Sequence, residues 1–232
     1  VEGLLGLDVG CGEGYNTRMV AKHGAKMIAF DMVKKFVNYS NDTERKEDPL
    51  GIRFGVASAV EIPFADASFD FAISTMCLMD MPEPEIAMQE VFRVLKPDGW
   101  FQFSITHPAF LHAGAELHER EDGTRTGANW LRDENGKKTG LVIENYLNQA
   151  IETIEEWTFS VAPEEVRNSV ELFKVPTFGK TLSEWFNAFV QAGFRLEYVG
   201  EPHADAETAA KNPGVADTQI VPIFMHLRGR KS

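Results

Sequence analysis

Glycine and aspartate residues near the start of the chain have the types and spacing best suited to chemistry. The segment Asp8-Val9-Gly10-Cys11-Gly12-Glu13-Gly14 follows a short apolar run and precedes an amphipathic one, which predicts a strand-to-helix turn. Glycines there let the backbone turn tightly and let a ligand approach it, and the following helix N-terminus favours polar groups. Asp31 ends the next apolar run, where a carboxylate accepts hydrogen bonds from both ribose hydroxyls of a nucleoside. Together these features predict a nucleoside-binding site.

The spacing of the glycines argues against a dinucleotide. The dinucleotide fingerprint Gly-x-Gly-x-x-Gly needs a third glycine for close helix–sheet packing. Counted from Gly10, that position is Tyr15, and Gly14 comes one residue early. Asp8 and Glu13 flank the loop, which suits a ligand with an ammonium group better than a pyrophosphate. Since no Tyr-x-x-x-Lys pair occurs either, an NAD-dependent oxidoreductase is the weaker alternative.

The elements that must position this site alternate between short apolar runs and amphipathic stretches, the pattern of an α/β domain with a parallel sheet. The sequence predicts strands at residues 4–9, 26–31, 52–57, 69–75 and 100–106. It predicts helices at residues 16–23, 33 to about 45, and 83–95. The candidate loops therefore fall at the carboxyl ends of strands.

The end of the chain predicts one more helix and two more strands. Thr181 is the predicted N-cap of a helix over residues 181–192, and Glu184 occupies the capping-box position. Strands are predicted at residues 194–199 and 220–227, without a helix between them, so we expect them to pair antiparallel at the sheet edge. The last basic residues are interpreted as a solvated tail: Arg228, Arg230 and Lys231.

Residues 107–180, which we call the insertion, interrupt the alternation. They are predicted to be loop-rich around residues 122–140, with strand-like runs at 151–161 and 170–178. We interpret the insertion as a substrate lid over the sheet, so that residues 1–232 form one domain. Trp130 and Tyr146 are the candidates for lining a substrate pocket. The alternative is that the aromatic residues form a small core of the insertion itself.

Composition excludes several classes of protein. The 232 residues are 44% hydrophobic and 25% charged, as in ordinary globular proteins. A net charge of −12 disfavours a nucleic-acid partner, and no apolar run is long enough to span a bilayer. Two cysteines, Cys11 and Cys77, are too few for a disulfide framework, and no signal peptide is evident, so we predict a cytoplasmic protein. The chain starts without Met, directly in strand-like sequence, and we expect further residues upstream.

Four ordered motifs resemble the class I S-adenosylmethionine-dependent methyltransferases, mainly their small-molecule branch. The glycine segment resembles the family's first motif. Residues 61–70 (EIPFADASFD) and 90–100 (EVFRVLKPDGW) are similar to its "LPF–D–SFD" and "E–RVLKPGG" segments, and residues 181–194 to its late helix. The resemblance covers about residues 3–106 and 181–228. It implies a Rossmann-like α/β fold with a mostly parallel seven-stranded sheet and an antiparallel last strand, although the helix that usually precedes the first strand is absent.

The resemblance also implies a cofactor, S-adenosylmethionine, and the residues that hold it. Asp8, Gly10, Cys11 and Gly12 would line its methionine end, and Asp31 would hold the ribose. Met32 would pack on the adenine, with Ser58 and Ala59 at its edge, and Thr75 and Met76 would lie beneath the amino-acid moiety. The family often has Asp where Ser58 stands. A member that binds the cofactor without catalysis is a further alternative.

His107 is the candidate general base for a small-molecule methyl acceptor, because it directly follows the fifth predicted strand. The competing interpretation is a structural histidine that hydrogen-bonds the turn before Pro108. A metal site is not predicted, because the spacings within the nearby acidic and histidine-rich stretch fit no known zinc pattern: His107, His112, Glu116, His118 and Glu119.

Overall fold

The computed structural model describes residues 1–110, 118–119, 123, 125–148, 153–157 and 173–232. Its strands in chain order are β1 (Leu5–Val9), β2 (Lys26–Asp31), β3 (Arg53–Val56), β4 (Phe69–Thr75), β5 (Leu95–Thr106), β6 (His118–Glu119), β7 (Arg125–Arg132), β8 (Lys138–Glu144), β9 (Thr153–Trp157), β10 (Phe173–Thr177), β11 (Phe194–Gly200) and β12 (Phe224–Lys231). Its α-helices are α1 (Tyr15–Lys22), α2 (Lys34–Lys46), α3 (Pro84–Val94), α4 (Leu182–Gln191) and α5 (Ala206–Lys211).

Seven of these strands form one sheet in the order β11-β12-β5-β4-β1-β2-β3. The pairs from β5 to β3 are parallel, whereas β12 runs antiparallel to both β5 and β11. The predicted Rossmann-like, mostly parallel sheet with an antiparallel last strand is therefore confirmed. The strand order reverses between β1 and β4, and open α/β sheets bind ligands beside such a reversal, at the carboxyl ends of the strands.

Aromatic side chains fix the central strands and the helices that cover them. Phe101 and Phe103 of β5 are buried and contact Phe189 of α4. The predicted capping box starts α4: the Thr181 hydroxyl accepts the N–H of Glu184, whose carboxylate accepts the N–H of Thr181. A rigid sheet holds the loops at its carboxyl edge in fixed positions.

The prediction that residues around 122–140 are loop-rich is wrong. They form most of the antiparallel hairpin β7–β8, whose turn is held by Asp133: its Oδ1 accepts the N–H groups of Asn135 and Lys137, both at 2.9 Å. The hairpin was missed because its strands mix polar residues, glycines and short apolar runs, so they lack the regular apolar alternation that marks a half-buried strand. The later strand-like runs do pair, as β9 with β10, and their remaining residues, apart from Phe178, lie outside the described part.

Two predictions about the end of the chain are also wrong. A short helix, α5, and a 3₁₀ segment (Pro213–Gln219) lie between β11 and β12; six residues capped by Asp205 are too few to show helical periodicity. The basic residues near the terminus belong to β12 rather than to a solvated tail. Lys231 donates to the carbonyl oxygens of Phe92 and Leu95 at 2.6 and 2.8 Å, where α3 ends.

The boundary between α3 and β5 differs from its prediction as well. The helix ends at Val94, and the strand begins at Leu95 rather than at Trp100. Leu95 already pairs with Phe69, and the register shifts before Phe71 pairs with Trp100. No helix among the described residues is long and apolar enough to cross a membrane.

Candidate functional site

The glycine loop between β1 and α1 is shaped by residues with positive φ. Gly10 has φ 72°, and a Cβ on it would overlap the Sγ of Cys77, which follows β4. Gly12 has φ 52° and no heavy atom within 4 Å of its Cβ position, so its outer face is open to a ligand. Gly14 is the left-handed N-cap of α1. The three positions thus favour glycine for conformation, and one of them leaves space for a bound group.

The Asp31 carboxylate, at the end of β2, is built into this loop. Its Oδ2 accepts the N–H of Gly12 at 2.9 Å, and its Oδ1 accepts the N–H of Val33 at 2.8 Å. Each carboxylate oxygen has a further acceptor position. Asp31 can therefore accept hydrogen bonds from ribose hydroxyls while still holding the loop.

Asp8 carries the most perturbed carboxyl group of the site. Its side chain is buried, Oδ2 accepts a hydrogen bond from the Thr17 hydroxyl at 2.6 Å, and Oδ1 has no hydrogen-bond partner among the described residues. Burial raises the pKa of Asp8 to about 7; the Thr17 hydrogen bond lowers it and the nearby charge of Asp31 raises it further. A buried carboxylate oxygen without a partner is costly, and a cationic donor would satisfy it.

These hydrogen-bond acceptors and the open glycine backbone fit S-adenosylmethionine. The unpaired Oδ1 of Asp8 can accept from an ammonium group, the open face of Gly12 admits a ligand against the backbone, and Asp31 offers acceptors for a ribose. The backbone of Cys11 holds the loop against β2, since its N–H donates to the Phe30 carbonyl at 3.0 Å. Burial raises the pKa of the Cys11 thiol well above its usual range, so the thiol stays protonated and is not a nucleophile.

The predicted adenine contacts lie at the ends of β2 and β3. Met32 is 76% exposed, so a long apolar side chain stands available to cover a flat ring. Ser58 forms an isolated bridge with Glu61, and its Oγ accepts the N–H of Val60 at 3.4 Å. Ala59 is buried in the core. The Ser58 hydroxyl is therefore an exposed polar group just after β3.

Thr75 ends β4 beside the glycine loop, and Met76 follows it. Met76 adopts a positive φ of 53°, and its N–H donates to the Ser104 carbonyl oxygen at 3.0 Å. One residue before this turn, the Ser74 hydroxyl donates to the Val9 carbonyl oxygen at 2.9 Å. These bonds join the ends of β1, β4 and β5, so the structure brings the predicted residues of the methionine side together.

His107 follows β5 directly and is only 3% exposed. Its Nδ1 accepts the N–H of Ala109 at 3.2 Å, so the ring proton lies on Nε2, which donates to Oε1 of Glu201 at 2.9 Å. The bond at Nδ1 goes to a residue that follows Pro108, not to the turn before it as the structural interpretation expected. The carboxylate partner, Glu201, was not predicted. Glu201 was missed because it lies just past β11, far along the chain, and nothing in its own neighbourhood marks it.

The structure places the two predicted pocket residues in different contacts. The Tyr146 hydroxyl accepts the N–H of Leu182, the first residue of α4, at 2.7 Å, so it ties the insertion to that helix. Trp130 lies in β7, with the ammonium of Lys138 4.4 Å from its ring centroid. Of the predicted histidine and glutamate group, His112 and Glu116 lie outside the described residues. Within the described part, no three His, Cys, Asp or Glu side chains are grouped as metal ligands.

Comparisons with known proteins define the class. Residues 7–103 match the family model described as a methyltransferase domain. The crystal structure of an S-adenosylmethionine-dependent methyltransferase from Mesorhizobium loti superposes with a TM-score of 0.74 at 24% identity, covering 100% of this chain and 92% of that chain. The resemblance inferred from the sequence is confirmed: the chain contains a methyltransferase domain and has the fold of the S-adenosylmethionine-dependent methyltransferases.

Curated relatives match shorter parts of the chain. The 27-O-demethylrifamycin SV methyltransferase of Amycolatopsis mediterranei is 31% identical over 161 residues, which are 66% of this chain and 59% of that protein. The O-methyltransferase cnsE of Penicillium expansum is 33% identical over 93 residues, 39% of this chain and 34% of that protein. The chain thus spans little more than half of the first relative and about a third of the second.

Proposed function

We propose that the chain transfers the methyl group of S-adenosylmethionine to a small-molecule acceptor. The proposal is supported chiefly by the buried, unpaired Oδ1 of Asp8, which lies in the same loop as the open Gly12 and within electrostatic range of Asp31. A cationic amino acid joined to a nucleoside satisfies all three at once. The acceptor in the name of one relative, 27-O-demethylrifamycin SV, favours a small molecule over a macromolecule, as does the net charge of −12.

In this proposal the protein orients and encloses its ligands. Bound S-adenosylmethionine supplies an electrophilic methyl group that needs no further activation. Asp8 accepts from the ammonium group, Asp31 from the ribose, and Met32 covers the adenine. The insertion acts as a lid that excludes water, and alignment together with water exclusion is worth several kcal/mol.

His107 is proposed as the general base. Its Nε2–H bond to Glu201 would stabilise the imidazolium that forms when Nδ1 takes a proton from the acceptor. Nδ1 accepts the Ala109 N–H, so proton transfer requires that this bond give way when the acceptor binds. We further propose a single domain over residues 1–232 and a cytoplasmic location, with neither nucleic acid nor membrane as partner.

Calorimetric titration with S-adenosylmethionine, S-adenosylhomocysteine and NAD tests the cofactor. We expect both adenosyl ligands to bind and Asp31→Ala to weaken them, with Asp42→Ala, an exposed carboxylate on α2, as the matched control. Binding of NAD alone would favour the oxidoreductase. Turnover with a panel of hydroxylated small molecules then separates an enzyme from a protein that only binds the cofactor.

A further inference from the structure

A cavity of about 460 Å³ lies between the β7–β8 hairpin of the insertion and the segment that connects β11 to β12. Its volume is in the range of small-molecule sites. Because β12 pairs antiparallel with β5, the connecting segment returns to the sheet at the same edge as His107, whose N–H donates to the Ile223 carbonyl at 2.7 Å. The cavity thus belongs to the edge of the sheet that carries the glycine loop.

The walls of the cavity combine positive charge with an apolar floor. The hairpin contributes the cations of Arg132, Lys137 and Lys138, and the connecting segment contributes one carboxylate, Asp217. Ala216 and Ile220 supply apolar surface. The wall thus carries three cations and one carboxylate in a protein whose net charge is −12, and a concave wall concentrates the field of such charges.

Two further acids, Asp133 and Glu134, lie in the hairpin turn and lower the positive charge near the cavity without lining it. The Asp133 carboxylate is turned into the hairpin, where it accepts two backbone N–H groups, and Glu134 is not part of the cavity wall. Arg132 uses one N–H on the Gly136 carbonyl at 2.8 Å and keeps other donors. Among the residues that the structure describes, Lys137 has no carboxylate partner for its ammonium.

The third cation is held in place and closes one side of the cavity. The Lys138 ammonium contacts the Asp217 carboxylate and lies over the Trp130 ring. This contact joins the hairpin to the connecting segment and satisfies the only acid of the wall. Arg132 and Lys137 are then the two cations of the wall that are available to bind a ligand.

We propose that this cavity binds the anionic group, a carboxylate or a phosphate, of a small molecule that also has an apolar part. The binding of an anion here is independent of the proposed methyl transfer. That the anion belongs to the methyl acceptor does rest on the proposed function, and an acidic effector is the other source of the same chemistry.

Binding is tested by NMR titration of the full chain with benzoate and with its neutral analogue benzamide, at constant ionic strength. We expect benzoate to bind more tightly than benzamide, and Arg132→Gln or Lys137→Gln to weaken benzoate about tenfold, as for the loss of one charge-assisted hydrogen bond. Lys46→Gln, at the exposed end of α2, is the matched control and should bind as the wild type does. Equal binding of the two probes, no binding to the wild type, or unchanged binding by Lys137→Gln would each overturn the proposal.

Methyl transfer then identifies the source of the anion. If it is the acceptor, 4-hydroxybenzoate is methylated in preference to 4-hydroxybenzamide, and Lys137→Gln raises KM for it while kcat stays within about twofold. If it is an effector, benzoate changes the rate with a neutral phenol instead. Titration with S-adenosylhomocysteine reports the cofactor site separately, so a chain that binds benzoate but no adenosyl ligand would refute the proposed function and leave the anion site standing.

Discussion

The carboxylate of Asp31 accepts the backbone N–H of Gly12 at 2.9 Å. This bond joins the end of β2 to the glycine loop after β1, so the predicted ribose-binding residue also shapes the loop that faces the rest of the cofactor. Because the second oxygen holds the Val33 N–H, the Asp31 side chain is fixed before any ligand arrives. Preorganisation of this kind lowers the ordering cost of binding.

Replacing Asp31 should therefore affect folding as well as binding. Asp31→Ala leaves the Gly12 and Val33 N–H groups without acceptors, and we expect the free energy of unfolding to fall by about 1–3 kcal/mol. Asp31→Asn keeps one acceptor oxygen and should lose less. Urea denaturation of both variants measures this, and equal stability of Asp31→Ala and wild type would show that the bonds do not form in solution.

Asp8 predicts that the stability of the ligand-free protein depends on pH. Its pKa is raised from 3.8 to about 7 by burial, so between these values the folded chain holds a proton that the unfolded chain has lost. The contribution of Asp8 to the free energy of unfolding is then fully present below about pH 4. It is lost progressively as pH rises to about 7, a decrease of about 4 kcal/mol from this group alone.

Chemical denaturation from pH 4 to 8 measures this effect as a difference between the wild type and Asp8→Asn, which stays neutral. The difference isolates Asp8 from the other titrating carboxylates. We expect the variant to gain stability relative to the wild type as pH rises. A difference that is constant with pH would contradict a buried, neutral Asp8.

Ligand binding should depend on pH in the opposite direction. A ligand with an ammonium group pairs with ionised Asp8, so it must displace the proton when pH is below about 7. Below pH 7, we expect the affinity for S-adenosylhomocysteine to rise by up to tenfold for each pH unit. Above pH 7 the affinity should level off. Calorimetry in two buffers of different ionisation enthalpy counts the released proton, and no release at pH 6 would exclude this role.

Gly10 and Gly51 offer a test of the close contact beneath the loop. Both have a positive φ, 72° and 76°, but a Cβ on Gly10 overlaps Cys77 whereas nothing lies within 4 Å of one on Gly51. Gly51→Ala should lower the free energy of unfolding by about 1 kcal/mol through backbone conformation alone. Gly10→Ala should lower it clearly more. Adding Cys77→Ala to Gly10→Ala should restore part of the difference, because the sulfur is removed. Identical stabilities of the two single variants would contradict the contact.

The sequence predicted those parts of the site that depend on one strand end or one turn. Gly10, Gly12 and Asp31 each follow or end a strand, so the parallel order of β1 and β2 was enough to bring them together. The unpaired oxygen of Asp8 was not predictable, since it depends on which direction Thr17 approaches from on α1. The β7–β8 hairpin and α5 were missed because their short or polar segments do not show the apolar periodicity of an element packed on a core.

Contacts between distant segments likewise could not be predicted from the sequence. His107 was predicted from its position after β5, but its partner Glu201 lies 94 residues away and meets it because β5 and β11, on either side of β12, both end at the same edge of the sheet. Tyr146 was predicted to line a pocket, and the bond that its hydroxyl accepts from the first N–H of α4 could not be predicted. In each case the neighbour is set by the packing of a second element, about which the local residues say nothing.

His107 and Glu201 provide the last test, because a base and a purely structural pair respond differently to substitution. If His107 is the base, His107→Gln should lower kcat about 100-fold or more while the affinity for S-adenosylhomocysteine is unchanged. Glu201→Gln keeps an oxygen that accepts the Nε2–H, so it should preserve folding, lower kcat less, and move the lower limb of the pH profile of kcat, because the charge that stabilises the imidazolium is gone. If instead both variants keep kcat and lose only melting temperature, the pair joins β5 to β11 and the base lies elsewhere. Steady-state kinetics across pH, with calorimetry on the same preparations, separates these outcomes.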